Sequence, residues 1–202
     1  MATAAITSPL ADPVPPAPRR PRVLLIGSAF GAVASALVLV SLLAVYLQAR
    51  AQELAAGRTA LPEGVVLPLT PGNMGLVTLA MAGVTMAWAV SALRNDDRPH
   101  AYVALGLTLL FGVAFINSTV YLYQQLALAP TSGPVAGLLY AITAGHLVMV
   151  VVGMLFAAVM GFQALGGQLT GRDAEGMSAA ALYWYATIAV YSVIWYAVYI
   201  TK

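Results

Sequence analysis

Five long apolar segments that contain no charged side chain dominate this sequence. They cover residues 23–47, 72–93, 101–128, 134–162 and 177–200. About 20 apolar residues in an α-helix are enough to cross the hydrocarbon core of a bilayer, and each segment reaches that length. We therefore predict an all-α, polytopic membrane protein whose fold is a bundle of five transmembrane helices.

The composition excludes an ordinary water-soluble domain. Hydrophobic residues occupy 61% of the 202 positions and charged residues only 8%, whereas soluble domains have about 45–50% and about 25%. The chain has no cysteine, which excludes disulfides and zinc–thiolate sites within it. A formal net charge of +2 is too small to indicate a nucleic-acid partner.

The chain divides into a tail and one membrane domain. Residues 1–22 are rich in Ala, Pro and Thr and end in a basic cluster, so we predict a disordered cytoplasmic tail before a transmembrane domain over 23–202. Lys and Arg on the N-terminal side of the predicted bundle are Arg19, Arg20, Arg22, Arg94, Arg98 and Arg172, and those on the other side are Arg50, Arg58 and Lys202. Because positively charged loops stay in the cytoplasm, the N-terminus is predicted inside and the C-terminus outside.

Small residues recur every fourth position on two of the predicted helices. The two stripes are Gly27, Gly31 and Ser35 on the first helix, and Gly153, Ala157 and Gly161 on the fourth. Small residues let helix backbones approach closely in lipid, so each stripe predicts a helix contact. Packing within this bundle is the favoured interpretation, and an interface with a partner is the alternative.

His146 is the one histidine within a predicted span. An ionisable residue at membrane depth is a candidate functional residue, because burying it without a partner is costly. With Met149 three positions later it could supply a metal pair, but a neutral histidine bonded to a neighbouring helix or a lipid headgroup is favoured. His100 lies in a polar loop, so the chain offers no second buried histidine for a haem.

Two further patterns concern the third and fifth helices. The third carries a polar cluster of Asn117, Ser118, Thr119, Gln124 and Gln125, which we interpret as helix packing, with a substrate path as the alternative. One face of the fifth carries Trp184, Ile188, Tyr191, Trp195 and Tyr199. That face predicts either interfacial anchoring or a seat for lipid or another subunit.

No catalytic motif occurs, and no carboxylate lies at membrane depth where a proton path would need one. The residues alone therefore predict a small membrane subunit that packs beside a catalytic partner.

Three stretches resemble subunit III of the haem-copper respiratory oxidases, in the short five-span form found in actinobacteria. The first helix ends in YLQARAQ (46–52), the fourth reads YAITAGHLVMVVVG (140–153), and the fifth begins YWY (183–185) and ends WYAVYITK. The fourth-helix stretch is similar to the family pattern Y-x-x-T-G-x-H-x-x-H-V-x-x-G. His146 falls on its first histidine and Met149 replaces the second, while Tyr185 replaces a histidine of the last family helix.

The resemblance implies an accessory subunit without haem or copper of its own, in a bacterial plasma membrane. It would stabilise the catalytic subunit I of a cytochrome c oxidase, which carries the haem and copper, among other oxidase subunits, and it would bind phospholipid. Candidate lipid or subunit contacts are His146, Tyr140, Met149, Trp184 and Tyr185. The alternatives are a subunit III-like protein of a nitric-oxide reductase, a small stand-alone transporter with a water-filled path near Asn117 and Gln124, and an assembly factor.

Overall fold

A computed structural model describes residues 22–62, 64–169 and 174–201. The helices are α1 (Val23–Ala55), α2 (Leu69–Arg94), α3 (Arg98–Leu126), α4 (Pro134–Leu165) and α5 (Glu175–Trp195), and a π-helical turn over Tyr196–Ile200 continues α5. All five helices are long and apolar enough to cross a membrane, and no strand occurs among the described residues. The predicted all-α bundle of five transmembrane helices is confirmed. The predicted tail lies outside the described residues, apart from Arg22.

Each helix extends past its predicted span at one end or both, but α3 ends at Leu126, two residues before the predicted end at residue 128. α1 continues from residue 47 to Ala55 and so includes Arg50 and Glu53. α2 begins at Leu69, three positions before the predicted start, with Pro71 in its first turn. Proline is tolerated there because the first N–H groups of a helix have no intrahelical acceptor.

α4 and α5 form the centre of the bundle. α5 packs against α1, α2 and α4, while α4 packs against α1, α3 and α5, and α2 pairs closely with α3 across a short loop. In the most apolar 18 residues of each span, 56% are buried in the last span but only 17% in α1. α1 is therefore the outermost helix and presents most of its surface outward.

Polar side chains join the helices through backbone carbonyls. Among the described residues, five such interhelical bonds are Ser28 Oγ to Ala179 O (2.6 Å), Tyr102 Oη to Ala164 O (3.1 Å), Ser118 Oγ to Pro71 O (3.0 Å), His146 Nε2 to Thr187 O (3.0 Å) and Tyr191 Oη to Gly72 O (3.1 Å). Such bonds matter in lipid, because no hydrophobic force draws the helices together there.

Candidate functional site

His146 lies at the centre of the bundle rather than on its surface. The side chain of this α4 residue is 1% exposed, and its Nε2 is 3.0 Å from the carbonyl oxygen of Thr187 on α5. The ring also packs against Phe115 at 5.4 Å and Tyr191 at 5.0 Å between centroids. A carbonyl only accepts, so Nε2 carries the proton and Nδ1 is the acceptor nitrogen. Nδ1 has no hydrogen-bond partner among the described residues.

A small cavity adjoins this histidine where α2, α3, α4 and α5 meet. Its free volume is about 10 Å³. The residues that line it include His146, Pro71, Ser118, Thr119, Thr143 and Tyr191. None of the lining side chains is charged, and the described residues contain no group of three His, Cys, Asp or Glu that could hold a metal ion. The polar groups that line the cavity are hydroxyls and one imidazole, all of which are hydrogen-bonding groups.

The other candidate contact residues divide between the interior and the surface. Met149 is 3% and Trp184 0% exposed, so they and His146 are enclosed by the chain's own helices and do not reach a lipid-facing surface. Tyr140 is half-buried, and its hydroxyl donates to the carbonyl of Leu128 at 2.7 Å. Tyr185 is 43% exposed. Of the five candidates, Tyr185 is the one whose side chain is freely accessible from outside.

The two small-residue stripes occupy different environments. Gly153 lies against the Trp184 ring, where an added Cβ would be 3.0 Å from the indole, and at Gly161 it would be 2.5 Å from Leu105. A Cβ on Gly27 or Gly31 would instead meet no atom of the described residues within 4 Å. The α4 stripe is thus filled by this bundle, whereas the two glycines of the α1 stripe face outward. Both stripes have the same four-residue spacing, so the sequence did not indicate which of them faces outward.

The polar cluster on α3 is divided between two faces of the helix. Ser118 and Thr119 are buried at the cavity, while Asn117 and Gln124 are exposed on the outer surface. The two residues expected beside a water-filled path therefore do not line the central cavity.

The aromatic face of α5 is turned mostly inward. Trp184, Tyr191 and Tyr199 are at most 7% exposed, because α2 and α4 cover them. Trp195 donates from Nε1 to Asn73 of α2 at 2.9 Å. This face serves the contacts between helices of this chain rather than seating a lipid.

A second, wider pocket lies where the end of α1 meets the loop before α2. Its volume is about 340 Å³. Its lining is largely apolar, including Leu54, Leu61 and Val198, and it contains Tyr46 and Arg50. The guanidinium of Arg50 also donates to the carbonyl of Thr201. All but one of the lining residues lie within residues 46–67. Sequence reasoning missed the pocket because it treated this stretch as the end of a span and a polar loop, and hydropathy does not show how such a loop folds back on the helix.

Comparisons with known proteins give one consistent result. The sequence model of the family "Cytochrome c oxidase subunit III" matches residues 22–202. A protein of Rickettsia conorii named "Probable cytochrome c oxidase subunit 3" is 32% identical over 124 residues, which cover 60% of this chain and 44% of that protein. The "Cytochrome c oxidase subunit 3" of Bos taurus is 28% identical over 141 residues, which cover 68% of this chain and 54% of that protein. The chain thus spans about half the length of the curated relatives it matches.

Proposed function

Because the chain belongs to the cytochrome c oxidase subunit III family, we propose that it is a non-catalytic subunit of a respiratory haem-copper oxidase in a bacterial plasma membrane. Its role is to stabilise the catalytic subunit I, which holds the haem and copper, and to bind phospholipid. The family match over residues 22–202 carries this proposal. The names of the relatives favour an oxidase over a nitric-oxide reductase, a transporter or an assembly factor.

The outward face of α1 is the part of this chain that we assign to the oxidase partner. Gly27 and Gly31 are exposed there, with no atom of the described residues within 4 Å of an added Cβ, and Phe30 beside them is 73% exposed. Exposed glycines are poor contacts for lipid chains, since they offer little surface, but they let another helix backbone approach closely. Their place on the outermost helix supports contact with a helix of another subunit.

Purification of tagged variants from native membranes in mild detergent tests this assignment. Gly31→Leu adds bulk where a Cβ would meet no atom of the described residues within 4 Å, so the chain keeps its fold while close helix approach is blocked. We expect a several-fold lower recovery of haem absorbance and of the large oxidase subunit. Gly106→Leu is the matched control, because Gly106 of α3 is also exposed with open surroundings.

The outcomes separate the two parts of the proposal. Normal haem recovery with Gly31→Leu would show that the partner does not bind at this face of α1 and contacts another face of the bundle. A colourless protein recovered alone, even without substitutions, contradicts the subunit role itself.

For phospholipid we propose the pocket beside Arg50, with the exposed Tyr185 as a second contact elsewhere on the bundle. Apolar walls next to a guanidinium suit an acyl chain and a phosphate. Arg50→Gln should lower the amount of anionic lipid that copurifies, measured by native mass spectrometry. Arg58→Gln is the control, because Arg58 is an exposed arginine paired with Glu53. If Arg50→Gln retains as much anionic lipid as Arg58→Gln and the unmodified protein, the phospholipid does not bind in this pocket.

A further inference from the structure

We propose that the cavity beside His146 binds one ordered water molecule, which donates a hydrogen bond to His146 Nδ1. Nothing in the proposed subunit role requires this site. The inference rests on the buried histidine, the cavity next to it and the directions in which the surrounding hydroxyl groups donate.

Five residues with hydroxyl groups line the cavity, and four of these hydroxyls donate their protons to backbone carbonyls; the fifth residue is Tyr199. Ser118 donates to Pro71 at 3.0 Å, Thr119 to Phe115 at 3.1 Å, Thr143 to Leu139 at 2.8 Å and Tyr191 to Gly72 at 3.1 Å. A hydroxyl group has one proton, so each of these oxygens has only lone pairs left to offer. One lone pair of Thr143 Oγ1 already accepts from the Tyr123 hydroxyl at 2.9 Å. The proton on Nε2 likewise leaves Nδ1 as an acceptor. These five atoms all accept, and the ligand that suits them must donate.

Size and charge then identify the donor. A volume of about 10 Å³ corresponds to the space of about one water molecule. A metal or ammonium cation of similar size would be buried without a counter-charge, because no carboxylate lines the cavity, and uncompensated burial of a charge is strongly unfavourable. Water is neutral and carries two protons, so it can satisfy Nδ1 and one hydroxyl oxygen together.

Such a water would satisfy the buried acceptor at the meeting point of four helices. An unpartnered acceptor in a region without bulk water is destabilising, whereas buried waters with two to four polar partners are a regular part of folded proteins. The site explains how a histidine that is 1% exposed is accommodated with a protein partner on Nε2 alone.

Nitrogen NMR of the full chain in lipid bilayers tests the proposal without altering the site. The chain has two histidines, so ¹⁵N-histidine labelling with the His100→Gln variant assigns the remaining ring to His146. We expect a protonated Nε2 and an unprotonated Nδ1 whose chemical shift shows that it accepts a hydrogen bond. We also expect magnetisation transfer between water protons and the His146 ring.

Three results would overturn the proposal. They are an Nδ1 shift typical of an imidazole nitrogen without a hydrogen bond, a protonated Nδ1, and the absence of any transfer from water. An experimental density map at a resolution that shows ordered waters gives an independent check. Density beside Nδ1 supports the site, and clear density for the ring with none in the cavity refutes it.

Discussion

Gly75 is a position where the structure leaves no room for a side chain beside two buried aromatic rings. It lies on α2, and a Cβ there would be 2.5 Å from Tyr191 Oη and 3.1 Å from both Tyr191 Cζ and Phe115 Cε2. The two rings pack edge to face at 4.9 Å and are only 7% and 2% exposed. The cavity of about 10 Å³ that both rings line is too small to take a displaced ring, so Gly75→Ala forces α2 away from α5 or disturbs the packing of the rings.

The expected cost follows from three contributions. Overpacking a close-packed interior costs about 1–3 kcal/mol, and loss of the bond from Tyr191 to Gly72 costs about 1 kcal/mol more. Alanine has a higher helix propensity than glycine, which stabilises the variant by up to about 1 kcal/mol and offsets part of this cost. Gly75→Ala should therefore destabilise the fold by about 1–3 kcal/mol. At Gly106 an added Cβ would meet no atom of the described part of the chain within 4 Å, so Gly106→Ala should be neutral or slightly stabilising.

Unfolding by SDS in mixed micelles, followed by circular dichroism, measures both variants. Tyr191→Phe provides the decisive comparison, because it removes the oxygen that lies closest to the added methyl group. The double variant Gly75→Ala with Tyr191→Phe should lose less stability than the sum of the single variants. Equal stability of Gly75→Ala and Gly106→Ala, together with strictly additive double-variant data, would refute the steric argument.

Three smaller effects are expected elsewhere in the chain. Thr85 and Thr108 share a hydroxyl bond of 2.8 Å between α2 and α3, so replacing either by Val should cost about 0.6–1 kcal/mol, and replacing both should cost little more than one replacement in a double-variant cycle. Glu175 accepts a bond from the first turn of α1 at 3.2 Å, so Glu175→Ala should lower the thermal midpoint more than Glu175→Gln, which keeps an acceptor. Hydrogen bonding from His100 lowers the pKa of Asp97 from its usual 3.8. The stabilisation from this carboxylate is therefore present above pH 3.8 and is lost as the pH falls through the lower folded pKa, and His100→Gln should weaken that dependence in acid unfolding curves.

The number and type of helices follow from the sequence because each span must satisfy its own backbone hydrogen bonds in lipid. Helix ends follow less well. Arg50 and Glu53 made the end of α1 look like a loop, yet α1 reaches Ala55. Hydropathy marks where the hydrocarbon ends, and a helix can continue past that point because charged side chains there reach water.

The arrangement of the site could not be predicted in the same way. The spacing of Gly27 and Gly31 shows that they share one face of α1, but it does not show what packs against that face. In the same way, the sequence places Trp184 on one face of α5 without showing whether another helix or lipid covers it. Since lipid is as apolar as a helix surface, hydropathy does not separate inward from outward faces in a membrane bundle as it does in water. Which face is covered depends on contacts between helices that are distant in sequence, such as α1 with α5.

The side-chain bonds to backbone carbonyls explain how such a chain selects one arrangement. Each joins a different pair of helices, and each depends on one particular carbonyl, as Ser118 does on that of Pro71 and Tyr191 on that of Gly72. A slip of one residue moves a helix by about 1.5 Å and rotates it by about 100°, which is enough to break the bond and to leave a polar group unsatisfied in lipid. Apolar packing alone tolerates such slips more readily. The few buried polar residues therefore fix the register of the bundle, and with it the position of the outward face of α1.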